Sequence, residues 1–325
     1  MEKSFSSDFK FKAIAWAAEK NNMSYGQFIE SHSSDEIEEV YKKYENIVGF
    51  IKRKTNKLII PFCFFYLVGT VALPNFLHLM GYDVRHTEVL GWKSLYVFAI
   101  PSQREFPNSP IWFLLCLFNV NLLFYFMWII SMMFKKFEVA ILIILCFFLG
   151  TIGFTLGYFR IYLPFYIDTA FTAIPFFCLG FVFRRYTEIL VPNKLDKYLP
   201  ILIFLCLLYL CLFAVRVSYV FNRYDGSIFT IYSCGLIGTL FIIFFSKILK
   251  SLPLISYWGR YSIVILCTHN MVIQFLAIFL KKTHWNNTAL CVSDLIITMM
   301  LYLLIIPFSL KYLPHVTAQK DVIKV

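Results

Sequence analysis

The sequence predicts an all-α fold: a polytopic membrane bundle of about eight transmembrane helices, preceded by a short helical cytoplasmic segment. Three observations carry this reading. Of 325 residues, 59% are hydrophobic and 15% charged, whereas a soluble domain carries about 25% charged residues. Aromatic side chains reach 19%, with 37 Phe and 20 Tyr, and hydrocarbon accommodates on the outside what a water-facing surface does not. The apolar residues also gather into eight runs, each close to the ~20 residues that cross ~30 Å of hydrocarbon.

Residues 1–49 differ from everything after them. Residues 1–44 hold eight acidic residues and six Lys, with apolar positions at helical spacing. Ser24-x-x-Gln27 and Ser33-x-x-Glu36 read as capping boxes that open two short helices. Asp35–Tyr44 places mixed charge on one face and Ile37, Val40, Tyr41 and Tyr44 on another. A segment this short buries little core by itself. Its first long apolar run begins near Leu58, so the first span is expected to serve as an uncleaved insertion signal.

The runs then follow in order: Leu58–Leu73, Ile111–Met133, Val139–Tyr158, Leu163–Phe183, Leu199–Val215, Ile228–Ile248, Ser262–Leu280 and Leu290–Leu310. The first and fifth are the shortest, and Pro61 stands at the entrance of the first. The membrane-body domain is read as 50–313 and the remainder, 314–325, as a cytoplasmic tail.

The net charge of +11 and pI near 9.1 would suggest nucleic acid on a soluble chain. Here the basic residues cluster at the ends of apolar runs, where they orient helices, so no nucleic acid is expected as a partner. With the side that carries Lys52, Arg53, Lys54 and Lys57 taken as cytoplasmic, 18 basic residues fall on that side and eight on the other. That bias places both termini in the cytoplasm of a multi-pass cell-membrane protein, with the lipid bilayer as its solvent. The nine Cys all lie in apolar runs without a C-x-x-C pair, which reads as packing. The longest outer connection, Asn75–Ser109, is a natural lid or binding edge, and within it Trp92–Ile100 is apolar enough to lie on the membrane surface.

Ionisable residues inside spans are functional candidates because they are expensive there. His269 lies eight residues into the seventh run, between Thr268 and Asn270. It is either an acid, base or substrate ligand, or a neutral His bonded to a neighbouring helix. It has no second ligand at helical spacing, so no metal is assigned. Asp168, in the outer third of the fourth run, either pairs with Arg160 or a basic residue of the long loop, or acts as glue between helices. Asp294 lies near an interface and reads as structural. Arg260 flanks the inner end of the seventh span, and Trp112 opens the second, where an aromatic-belt anchor is the plain reading. No Walker A loop, G-x-G-x-x-G, H-E-x-x-H or G-x-S-x-G occurs.

Four stretches in order resemble the acyltransferase-3 family of membrane proteins. They are FIKRKTNKLIIPFCFFYL (Phe50–Leu67), PIWFLLCLF (Pro110–Phe118), LPFYIDTAFTAIPFFCLGFVF (Leu163–Phe183) and WGRYSIVILCTHNMVI (Trp258–Ile273). The resemblance implies an O-acyltransferase that moves an acyl group, usually acetyl, from acetyl-CoA or another acyl-CoA to a hydroxyl. The acceptor it implies is a cell-surface carbohydrate or a lipid-linked sugar. No bound cofactor is implied, since the acyl-CoA is a donor substrate. In that scheme His269 is the candidate acid or base, Arg260 meets donor phosphates, and Asp168 and Trp112 shape the acceptor side.

Family domains of this type open with two further helices, the first bearing an Arg and the His usually assigned to catalysis. Nothing in Met1–Gly49 matches such a helix. The resemblance therefore leaves three readings: a divergent enzyme served by His269 and Arg260, half of a complex whose remaining helices come from another chain, or a non-catalytic truncated remnant. A transporter or flippase of lipid-linked sugar is the alternative outside the family, although no internal repeat supports it.

Overall fold

The computed structural model describes residues 7–21, 23–37, 40, 47–84, 86–134, 136–184, 194–213, 215–249, 252–280 and 287–323. Lys42, Lys43, Arg85, Lys135, Arg185, Lys250, Lys281, Lys282 and Lys324, all used to orient the chain, lie outside these residues, as do Tyr41 and Tyr44. The chain divides into two compact units, one of residues 1–57 with 321–325 and one of 58–320.

The smaller unit contains α1 (Ser7–Lys20), α2 (Tyr25–Ser31) and α3 (Ile47–Lys54). Both expected capping boxes form. The Gln27 amide donates to Ser24 Oγ at 3.3 Å while the Ser24 amide donates to Gln27 Oε1 at 2.9 Å. The Ser33 amide and hydroxyl donate to Glu36 Oε2 at 2.8 and 3.0 Å, and these bonds hold the Glu36 carboxyl below its ordinary pKa. Ile14, Ala17, Ala18 and Phe28 form a small core with Trp16, Ile37 and Val40 against them. Asn56 ties down the end of the chain: its Nδ2 donates to Ile323 O at 2.8 Å, and its Oδ1 accepts from the Val322 and Ile323 amides at 3.2 and 2.9 Å.

The larger unit is helical almost throughout. Its first run is α4 (Ile60–Tyr66) and α5 (Leu73–Leu79), with π-helical turns over Thr55–Ile59 and Leu67–Ala72. Each π turn lies just upstream of a proline, Pro61 or Pro74. A proline donates no hydrogen bond and its ring crowds the carbonyl four residues back, and a widened turn relieves that clash. The remaining runs become α6 (Trp112–Met132), α7 (Glu138–Tyr158), α8 (Ile167–Phe183), α9 (Leu199–Leu212), α10 (Ile228–Leu249), α12 (Ser262–Leu280) and α13 (Asn287–Tyr312). A short amphipathic helix, α11 (Pro253–Arg260), leads into α12. Between α9 and α10 lies a two-stranded hairpin, β1 (Val217–Ser218) with β2 (Arg223–Tyr224).

Six helices among the described residues are long and apolar enough to cross a membrane. The fifth run falls short, since the 14 residues of α9 rise only about 21 Å. In the seventh, the apolar stretch Ser262–Ala277 falls among the shorter helices.

In lipid the drive for helices to associate is close packing and polar contact, because the surrounding chains are as apolar as the helices. Gly150, Gly153 and Gly157 supply that closeness on one face of α7. A Cβ at Gly153 would meet the Thr172 backbone N at 2.4 Å, and one at Gly157 would meet Asn222 O at 2.2 Å. The main core joins α4, the long loop, α6, α8 and α12 through Phe62, Phe65, Phe106, Leu115, Tyr166 and Cys267.

The Asn75–Ser109 connection is folded onto this core. Val89, Val97 and Phe106 in it are fully buried. Tyr66 donates its hydroxyl to Ser94 O, and the Gly91 amide donates to Asn75 Oδ1 at 2.7 Å. Trp92, by contrast, is 84% exposed, although Ser94 and Val97 of the same stretch are buried in the protein.

Candidate functional site

Two polar constellations emerge among the described residues. The first is built around Arg104, a long-loop residue that reaches the fourth run. Its guanidinium bonds all five N–H groups. Nη2 donates to Asp168 Oδ1 at 2.8 Å and to Leu163 O at 3.3 Å. Nη1 donates to Thr169 Oγ1 at 3.3 Å and to Val220 O at 3.2 Å. Nε donates to Pro101 O at 3.1 Å. Arg104 and Asp168 are 2% and 0% exposed. The plane of the guanidinium lies over Tyr162 and Tyr166, at 4.7 and 5.1 Å from the ring centroids.

Asp168 thus has its partner in the long loop. Its Oδ1 also accepts the Leu163 amide at 3.3 Å, while buried Oδ2 has no hydrogen-bond partner. Around it, Thr169 donates to Tyr219 O at 3.0 Å and Thr172 donates to Asn222 Oδ1 at 2.9 Å. Three connections, the long loop, Arg160–Leu163 and the hairpin, therefore meet at one end of the bundle. These are the connections assigned to a common side from charge. Trp112 joins the same group through Tyr166, with ring centroids 5.4 Å apart. The left-handed Phe165 and Tyr166 (φ 56° and 60°) make a sharp turn into α8, which Asn119 steadies by donating to Phe165 O at 2.7 Å.

The second constellation belongs to α12. His269 is half-buried, and its Nδ1 lies 2.9 Å from Ile265 O and 3.1 Å from Leu266 O. A carbonyl only accepts, so Nδ1 carries the proton, and in the neutral ring Nε2 keeps its lone pair. Nε2 has no hydrogen bond among the described residues. These carbonyls belong to its own helix, whereas the structural alternative expects a neighbouring one. On either side of His269, Thr268 meets Tyr302 at 2.9 Å and Asn270 donates to Pro107 O. Gln274 donates to the same carbonyl at 2.7 Å. Asn108 donates to Phe65 O and Cys267 O at 3.3 and 3.0 Å. The end of the long loop is thereby fastened to α12.

Arg260 ends α11 and is exposed, its guanidinium 5.9 Å from the Tyr261 ring centre. His269 lies about 10 Å along the axis from the start of α12, so it is set well apart from Arg260, which stands two residues before that start. No described contact joins either of them to Asp168 or Trp112. Asp294 lies on α13 with a buried, unpartnered Oδ1.

Sequence reading did not single out Arg104, Tyr166, Asn108 or Asn222. Asn222 has φ 48°, a conformation Asn tolerates better than most residues. The Gly150, Gly153, Gly157 spacing on one helix face is a signal of close approach that could have pointed to this packing.

No curated protein and no solved structure matches this chain. The sequence profile described as an acyltransferase domain, that of the acyltransferase-3 family, matches residues 33–310. The match reaches from within the N-terminal segment nearly to the end of α13, and the chain belongs to the acyltransferase-3 family of membrane proteins.

Proposed function

We propose that this membrane acyltransferase takes an acyl group, acetyl in the simplest case, from acyl-CoA and places it on a hydroxyl of a cell-surface carbohydrate or lipid-linked sugar. The observation that carries the reading is the pair of backbone carbonyls that hold Nδ1 of His269. With Nδ1–H held by Ile265 O and Leu266 O, Nε2 keeps its lone pair for a base on the stretch of α12 that Thr268, Asn270 and Gln274 make polar. A base so held takes the acceptor hydroxyl proton as the oxygen attacks the thioester carbonyl, and returns it to the leaving thiolate. Arg260, exposed at the end of α11 just before α12, is suited to pairing with donor phosphates.

Asp168 and Trp112 serve the acceptor side by shaping it. Asp168 is fully buried with its charge committed to Arg104, so its role is to hold three loops in register. The positive-inside bias supports a cell-membrane location with donor handling and both termini on the cytoplasmic face.

The test is O-acetyl analysis of surface glycans in a strain lacking the protein, complemented with wild type or His269→Ala. Loss of a general base is expected to lower transfer by about 10²–10⁴-fold. Unchanged acetylation in the deletion strain removes the proposed activity. Full complementation by His269→Ala removes His269 from the mechanism.

A further inference from the structure

The hairpin between α9 and α10 is bolted to the bundle by Asn222, which is fully buried with φ 48°. Its Nδ2 donates to Gly153 O at 2.9 Å. Its Oδ1 accepts from the Thr172 and Tyr224 hydroxyls at 2.9 and 2.6 Å. Arg223, the next residue, therefore springs from a fixed backbone.

The two faces of the hairpin differ. Val215, Val217 and Tyr219 line an apolar pocket with Leu210, Ile231 and Cys234 of the adjoining helices. They are spaced by two, the period of one face of an extended chain. The register pairs Ser218 with Arg223, and the Asp225 amide donates to Arg216 O at 3.1 Å. Arg216 and Arg223 thus share the other face, turned away from the pocket, as diagonal neighbours roughly 7–8 Å apart. Both are exposed. Asp225 lies opposite Arg216, and no ion pair among the described residues joins it to either arginine. The face keeps a net positive charge.

Arg223 is also held in place. Its Nε donates to Tyr162 Oη at 3.0 Å, and its guanidinium lies 5.1 Å from the Phe221 ring centre and 6.0 Å from that of Tyr162. Tyr162 is itself set against the buried Arg104, 4.7 Å away. The terminal nitrogens of Arg223 have no hydrogen bond among the described residues. A guanidinium with Nε spent still presents an end-on fork of two Nη groups, which matches a carboxylate or a phosphate. A side chain already fixed loses little freedom when it binds. Because this face is turned from the pocket and its membrane helices, the anion it meets comes from the aqueous side.

We propose that Arg223, with Arg216 beside it, forms an oxyanion site at this end of the bundle and takes a carboxylate or phosphate group of a water-borne ligand. The site stands on the hairpin geometry and does not depend on the acyl-transfer reading.

The experiment is arginine footprinting with phenylglyoxal on the full chain in phosphatidylcholine nanodiscs, read by peptide mass. Inorganic phosphate and glucuronate are the test anions, with glucose and sodium chloride of matched ionic strength as controls. Modification of Arg223 and Arg216 should slow about tenfold at ten times the half-protecting concentration of phosphate or glucuronate, and neither control should protect. Arg104, 2% exposed, should stay unmodified throughout. Tyr162→Phe keeps the ring but frees Nε, and should raise the half-protecting concentration about two- to tenfold, the cost of fixing one loose side chain. Arg223→Lys keeps the charge but loses the fork, and should abolish protection of Arg216. Protection by sodium chloride equal to that by phosphate, or by no anion at all, overturns the site. Undiminished protection of Arg216 in Arg223→Lys overturns the fork. Protection seen only when phosphatidylglycerol is added to the disc makes the ligand a lipid headgroup and overturns a water-borne one. Footprinting needs no turnover, so its failure is distinct from failure of the acetylation assay.

Discussion

Replacing Arg104 by Met is the sharpest perturbation of this fold. The side chain is similar in length, so little volume is lost, but every polar contact goes. Asp168 would then stand 0% exposed with its opposite charge gone and a second oxygen already unpartnered. Breaking a buried ion pair by removing one member costs about 3–5 kcal/mol. At ~2–4 °C per kcal/mol the apparent unfolding midpoint should fall by roughly 6–20 °C. Pairing the change with Asp168→Asn removes the uncompensated charge, so the double variant should regain at least half of the loss. Cys116, Cys146, Cys178 and Cys267 are buried free thiols, so a thiol-reactive fluorophore reports unfolding of the protein in detergent. A midpoint within about 1 °C of wild type for Arg104→Met would refute a desolvated pair. Additive effects in the double variant would refute the coupling.

The glycines of α7 make a contrasting pair with those elsewhere. Gly153→Ala and Gly157→Ala drive a methyl group against backbone atoms 2.4 and 2.2 Å away and should cost on the order of 1–3 kcal/mol or more, whereas Gly180→Ala and Gly238→Ala meet nothing within 4 Å and should leave the midpoint unchanged. Equal shifts in the two sets would remove close helix approach as the reason for the stripe. A fluorescent reporter that matures only in the cytoplasm, fused after Val325, should fluoresce, and a dark, full-length fusion would reverse the proposed orientation.

Much of the architecture was legible along the chain because hydrocarbon imposes a one-dimensional rule. A span needs a minimum length of apolar residues, and the runs of Ile111–Met133 and Val139–Tyr158 became α6 and α7 to within a residue or two. Local chemistry was equally readable at Ser24 and Ser33, where a hydroxyl and a side chain three residues on close a capping box without help from distant residues. The Leu199–Val215 run was less so. Its helix stops at Leu212 and the chain turns into a hairpin, so Val215, Val217 and Tyr219 line a pocket with Leu210, Ile231 and Cys234 and extend no span.

What the sequence determined by itself was the medium, the helical class and the family, all of which depend on composition, run length and ordered local patterns. Which polar groups meet was decided only by the tertiary structure. Arg104 stands 64 residues from Asp168 and 116 from Val220, and no periodicity encodes such a pairing. Burial makes a charge demand a partner, but only the fold brings that partner within reach.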